Sequence, residues 1–137
     1  MRNTVLVIED NLMNLELVTD LLEAQGFMVS QARTAEEGLR LAREGLPDLI
    51  LMDLSLPGMD GLAATKALKN SPATRHLTVV ALTAHAMKGD EVIALSAGCA
   101  GYLTKPINTQ TFATTVAGFI ASAGQHRKEP EAAAEKL

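Results

Sequence analysis

The chain has no tryptophan, one tyrosine and three phenylalanines in 137 residues. It therefore offers almost no platform on which nucleic-acid bases could stack, and its core must come from Leu, Val, Ile and Ala. A single cysteine, Cys99, excludes an intramolecular disulfide and fits a reducing compartment. Basic residues are not in excess: 12 Lys and Arg face 16 Asp and Glu, for a formal net charge of −4. That balance argues against a broad phosphate-binding surface. Long apolar runs are also missing. Met1-Arg2-Asn3-Thr4 leads into Val5–Ile8, too short for a signal-peptide core or a membrane span. The expectation is a soluble cytoplasmic protein that engages neither nucleic acid nor membrane.

The length reads as one domain, large enough to bury about 68% of the surface of its unfolded chain. Val5-Leu6-Val7-Ile8 has the character of a strand buried on both faces. Asn11 caps a helix in which Leu12, Leu15, Val18, Leu21 and Leu22 recur at helical spacing, and Gly26 stops it. Residues 27–32 read as a second strand. Thr34 opens a helix with Glu37 completing a capping box, and Gly45 and Pro47 end it. Residues 48–53 form another buried strand ending in an acid, and a loop with Pro57-Gly58 leads to a helix from Asp60 to about Asn70. Residues 77–83 predict a fourth strand, 87–97 a helix closed by Gly98, and 100–104 a fifth strand. The last helix starts at Asn108 or Thr109 and ends near Gly124. Strict alternation of five strands and five helices implies a parallel sheet covered on both faces. Residues 1–124 make this domain, and 125–137 form a polar tail, frayed or helical.

Ligands of such sheets bind beyond the carboxyl ends of the strands. The first strand ends in Glu9-Asp10, the third in Asp53, the fourth in Thr83-Ala84 and the fifth in Thr104-Lys105-Pro106. Singly, each has an ordinary reading as a solvated acid, helix cap, turn former or loop. Together they place three carboxylates, a hydroxyl and an ammonium on one edge. Three neighbouring carboxylates repel one another unless a cation neutralises them. A hard divalent ion such as Mg²⁺ does so with oxygen ligands. A carboxylate so held can serve as a nucleophile toward phosphorus, a reaction that needs mainly positioning and charge neutralisation.

In order and separation, Glu9-Asp10, Asp53, Thr83-Ala84 and Lys105-Pro106 resemble the signature of bacterial two-component response-regulator receiver domains, the chemotaxis-regulator-like proteins. Leu56-Pro57-Gly58-Met59-Asp60-Gly61, Ala97-Gly98 and Tyr102 agree, and the likeness spans Thr4 to about Ala123. It implies a flavodoxin-like (βα)5 fold with strand order 2-1-3-4-5. It also implies phosphorylation of Asp53 by a histidine kinase or histidine phosphotransfer protein. Mg²⁺ would be held by Asp10, Asp53, the backbone carbonyl of Ser55 and Glu9. The phosphoryl oxygens would meet Lys105, the Thr83 hydroxyl and the amides of Leu54 and Ala84. Thr83 and Tyr102 would form the switch, Pro106 would follow a cis bond, and a downstream protein would read the fourth helix, fifth strand and last helix. Asp10-Asn11-Leu12-Met13-Asn14 and the run from Ala84 to Asp90 resemble receivers of hybrid sensor kinases and single-domain regulators of the cell-division type.

Other classes fit less well. An aspartate-nucleophile phosphatase resembles a pattern with a second Asp two residues after the first, where this chain has Ser55. A flavin module of similar topology needs a Ser/Thr/Gly-rich phosphate loop where Glu9-Asp10 stands. A DNA-binding output would need more basic sequence than the tail provides. The expectation is a switch that catalyses only its own phosphorylation and dephosphorylation.

Overall fold

The computed structural model describes residues 3–54, 61–83 and 88–123, with the backbone alone for 88–90. Strands β1 (Thr4–Ile8), β2 (Met28–Ala32), β3 (Leu49–Asp53), β4 (Val79–Thr83) and β5 (Gly101–Thr104) alternate with helices. These are α1 (Leu12–Ala24), α2 (Ala35–Gly45), α3 (Gly61–Lys69), α4 (Lys88–Ala97) and α5 (residues 112–123). Neighbouring strands pair in parallel in the order β2-β1-β3-β4-β5, the flavodoxin-like arrangement expected. The polar tail expected over 125–137 lies outside the described residues.

Side-chain alternation along the strands builds two apolar layers. Leu6, Ile8, Ile50, Met52, Val79 and Ala81 face α2, α3 and α4, meeting Leu39, Ala64, Leu68 and Ala94. Val5, Val7, Leu49, Leu51, Val80 and Leu82 face α1 and α5, meeting Leu15, Val18, Leu22, Phe112 and Val116. A sheet covered on both faces explains why β1, β3 and β4 read as unbroken apolar runs. β2 lies at one end, and its Met28, Ser30 and Gln31 are exposed.

Helix ends follow local chemistry with two departures. Asn11 Oδ1 accepts from the Asn14 amide at 3.0 Å to start α1, and Gly26 (φ 91°) takes the left-handed position after it. Thr34 Oγ1 accepts from the Glu37 amide at 3.1 Å, but Glu37 Oε1 returns the bond to the Arg33 amide at 3.3 Å, one residue before the cap. At the end of α2, Gly45 stays helical and Leu46 takes the left-handed turn at φ 44°. Pro47 disfavours right-handed helical geometry at the residue before it, so the turn falls on Leu46.

Two boundaries move by more than one residue. β4 starts at Val79 rather than Leu77, because the Leu77 amide donates to Thr74 O at 2.9 Å and its carbonyl accepts from Lys69 Nζ. Helical geometry near the C-terminus begins at 112, after a turn in which Asn108 Oδ1 accepts from the Gln110 amide at 3.0 Å. The expected helix starts at Asp60 and Met87 fall outside the described residues, α3 and α4 being described from Gly61 and Lys88.

Candidate functional site

Register places the acids side by side. Ile8 pairs with Met52, so Glu9 and Asp53 follow on adjacent strands at the carboxyl rim. Alternation carries Val5 and Val7 on to Glu9, Leu49 and Leu51 on to Asp53, and Leu103 on to Lys105, all toward the α1/α5 side. Lys105 stands just past β5, where its amide donates to Thr83 O at 2.8 Å. From there its side chain reaches back to the acids. Lys105 Nζ lies 2.7 Å from Glu9 Oε1 and 3.4 Å from Asp53 Oδ2.

Both acids are almost wholly removed from water, Glu9 at 0% and Asp53 at 2% exposure. Burial, together with the neighbouring Asp53, pushes the Glu9 carboxyl from 4.5 up to about 7, against the lowering effect of Lys105. For Lys105, burial alone would lower the pKa, but its bond to Glu9 and the Asp53 charge outweigh this and raise it. Glu9 Oε2 accepts from the Asn11 amide at 3.3 Å, while Glu9 Oε1 is buried with no directed hydrogen bond, its neighbour being the Lys105 ammonium. Asp10 is half-buried on the loop that follows β1.

One carboxylate oxygen from each of Glu9, Asp10 and Asp53 lies within 4.8 Å of the others. Three carboxyl groups against one ammonium leave an excess of negative charge, and every donor is a hard oxygen. This set fits a hard divalent cation such as Mg²⁺ better than a soft or thiolate-seeking metal.

The remaining predicted residues are placed as follows. Thr83 is buried at the end of β4. Ala81 pairs with Tyr102 and Thr83 with Thr104, so Thr83 and Tyr102 share the other face of the sheet, where Tyr102 packs half-buried against the α3/α4 layer. The Lys105–Pro106 peptide is cis. Ser55 and Ala84 lie outside the described residues. The amide of Leu54, expected in the phosphoryl cradle, donates to Leu82 O at 3.0 Å, as the β3/β4 ladder continues one residue past Asp53. Gly61 opens α3 so close to this point that a β-carbon there would collide with the Asp53 carbonyl.

Sequence reasoning missed Arg33. Its Nη2 donates to the Asp10 carbonyl at 3.1 Å across 23 residues of chain. No spacing rule marks such a contact. Only the β1/β2 register, with Ile8 opposite Ala32, brings it about. A hollow lined by Lys69, His76, Phe119 and Ala123 lies near the amino ends of β4 and β5 and includes none of the acids.

Among the described residues, no helix is long and apolar enough to cross a membrane. The family model for the response regulator receiver domain matches residues 5–117. The polar-differentiation response regulator DivK of Brucella ovis is 45% identical over 123 residues, which span 90% of this chain and 100% of that protein. The receiver domain of a sensor histidine kinase from Pseudomonas aeruginosa PAO1, solved with a magnesium ion coordinated in its active-site cleft, is 30% identical. It superposes with a TM-score of 0.81 over 88% of this chain and 99% of that one. A CheY-like receiver domain protein from Methanospirillum hungatei JF-1 superposes at 0.84 over 92% and 99% of the two chains, and at 24% identity it speaks to the fold alone. With its acids gathered on the rim of a 2-1-3-4-5 sheet and its sequence matched over most of its length, the chain belongs to the response regulator receiver domain family of two-component systems.

Proposed function

We propose that the chain is a phosphorylation-dependent switch whose acceptor is Asp53, and that residues 1–124 form the receiver unit. The observation that carries the reading is the meeting of Glu9, Asp10 and Asp53 with the Lys105 ammonium on one buried rim. Glu9, Asp10, Asp53 and the Ser55 carbonyl would hold Mg²⁺. When bound, the ion supplies the positive charge that lets an anionic phosphoryl group approach three carboxylates.

The chain's own groups do the rest. An Asp53 carboxylate oxygen attacks the phosphorus of a phosphohistidine on a histidine kinase or phosphotransfer protein. The P–O bond forms as the P–N bond breaks, and the imidazole leaves. Lys105 pairs with the phosphoryl oxygens, while the Thr83 hydroxyl and the Ala84 amide donate to them. Leu54 is left out because its amide is engaged in the sheet. Water later hydrolyses the acyl phosphate. The chain turns over no other substrate, which separates it from an aspartate-nucleophile phosphatase.

The signal passes through protein contact. The added phosphoryl carries about −1.5 to −2 charge. Thr83 moves toward it and opens room for Tyr102, on the same face, to turn inward. The face formed by α4, β5 and α5 then meets a downstream protein. Val92, Ile93 and Leu95 give α4 an exposed apolar surface for this. Cytoplasmic location follows from this partnership. Likeness to the receiver of a sensor kinase keeps a second reading in view, that of a receiver module within a hybrid kinase.

The test is acid-labile phosphate incorporation from acetyl phosphate with Mg²⁺. The parent chain labels and Asp53→Asn does not. Equal labelling of the variant would remove Asp53 from its role.

A further inference from the structure

The loop between β1 and α1 carries Glu9 and Asp10, and three kinds of contact fix it. The Glu9 amide donates to Ala32 O at 3.0 Å, extending the β1/β2 ladder. The Asn11 amide donates to Glu9 Oε2, and Asn11 Oδ1 caps α1. The third contact is the Arg33 guanidinium, which donates to the Asp10 carbonyl. Arg33 is itself anchored, because its amide donates to Glu37 Oε1 in the first turn of α2. The neighbouring β2–α2 connection thus holds the residue whose carboxylate completes the acidic cluster.

We infer that Arg33 is a positioning residue for the divalent cation: by latching the Asp10 carbonyl, it keeps the Asp10 carboxylate turned toward Glu9 and Asp53. This rests on the reading of the acidic rim as a Mg²⁺ site. Two effects of the guanidinium compete there. Its charge repels a cation, whereas its hydrogen bond orders a ligand-bearing loop. Arg33 is exposed, so water and salt screen the repulsion. The ordering of the loop is not screened in this way. Groups outside the coordination shell commonly change metal affinity by about 10- to 100-fold when removed. Orientation therefore outweighs repulsion, and losing Arg33 weakens the site.

The experiment is calorimetric titration of the parent and Arg33→Ala chains with MgCl₂ at low and high NaCl. It is joined by thermal unfolding in chelator and amide exchange of Asn11 in the metal-free proteins. The variant binds Mg²⁺ about tenfold more weakly at both salt concentrations. Its melting temperature in chelator is unchanged, and its Asn11 amide exchanges faster. Equal or tighter binding by the variant overturns the latch and shows that repulsion dominates. A deficit that vanishes in high salt, a lowered melting temperature or unchanged Asn11 exchange also overturns it. A parent chain that fails to bind Mg²⁺ overturns the reading of the rim and the latch together.

Discussion

Ile50 and Asp53 lie three residues apart on the same strand and are both almost fully withdrawn from solvent. Ile50 meets apolar side chains from both neighbouring strands and from the helices above it. Asp53 meets another buried carboxyl and one ammonium. The body of the sheet lowers the free energy of folding by removing apolar surface from water. The rim gathers like charges in a poorly solvated place, an arrangement that opposes folding until a cation arrives. Stability and chemistry are thus assigned to different storeys of one sheet. Changes in one should leave the other largely intact.

The strongest way to break that division is Asp53→Asn. It should abolish phosphate labelling completely while leaving the melting temperature in chelator equal or higher, since one buried carboxylate is gone. Loss of stability in this variant would mean that Asp53 also holds the body together. The reverse experiment is Ile50→Ala. Urea unfolding should show a loss of about 2–5 kcal/mol, yet the folded fraction at low temperature should label from acetyl phosphate like the parent.

A smaller effect lies in pH. The Glu9 carboxyl is raised from 4.5 to about 7 in the folded chain, so the folded state holds that proton more tightly. Its contribution to stability is complete below about pH 4.5 and fades as pH rises through 7. Lys105 is also raised, with the same sign, but its window lies above the ordinary lysine range. Melting of the metal-free chain should therefore weaken between pH 5 and pH 8, and Glu9→Gln should flatten the slope. Mg²⁺ should accordingly stabilise more at pH 8 than at pH 5, where a proton competes for its ligand. Smallest of all is Arg40→Ala. It removes a 3.2 Å pair with Glu44 on the exposed face of α2 and should change urea stability by less than about 0.5 kcal/mol. A large effect there would show that charges matter away from the rim as well.

The body was legible because burial writes itself as composition. β1, β3 and β4 are apolar without interruption, and little else could account for them. The site was legible because Glu9, Asp53 and Thr83 directly follow such runs and Lys105 follows the short fifth strand that ends at Thr104. The sheet order was a different matter, since alternation gives parallel strands but not their sequence across the sheet. That order came from the resemblance. What stayed hidden depends on contacts distant in the chain. Arg33 meets Asp10 only through strand register, and the Leu54 amide is engaged by Leu82 because the ladder runs one residue past Asp53. Leu46 was hidden for a local reason: Gly45 and Pro47 were both expected to end the helix, and the left-handed turn falls on the residue between them.

Because β2 ends the sheet, one row of its backbone groups faces no strand among the described residues. Such a row is a template for extended segments of other molecules. Here it is only five residues long, and its exposed positions are Met28, Ser30 and Gln31. Resistance to aggregation therefore depends partly on brevity and on two polar side chains, of which Gln31 also donates to the buried Thr19 Oγ1 of α1 at 2.8 Å. An apolar replacement at Ser30 or Gln31 would extend the sticky edge that Met28 begins.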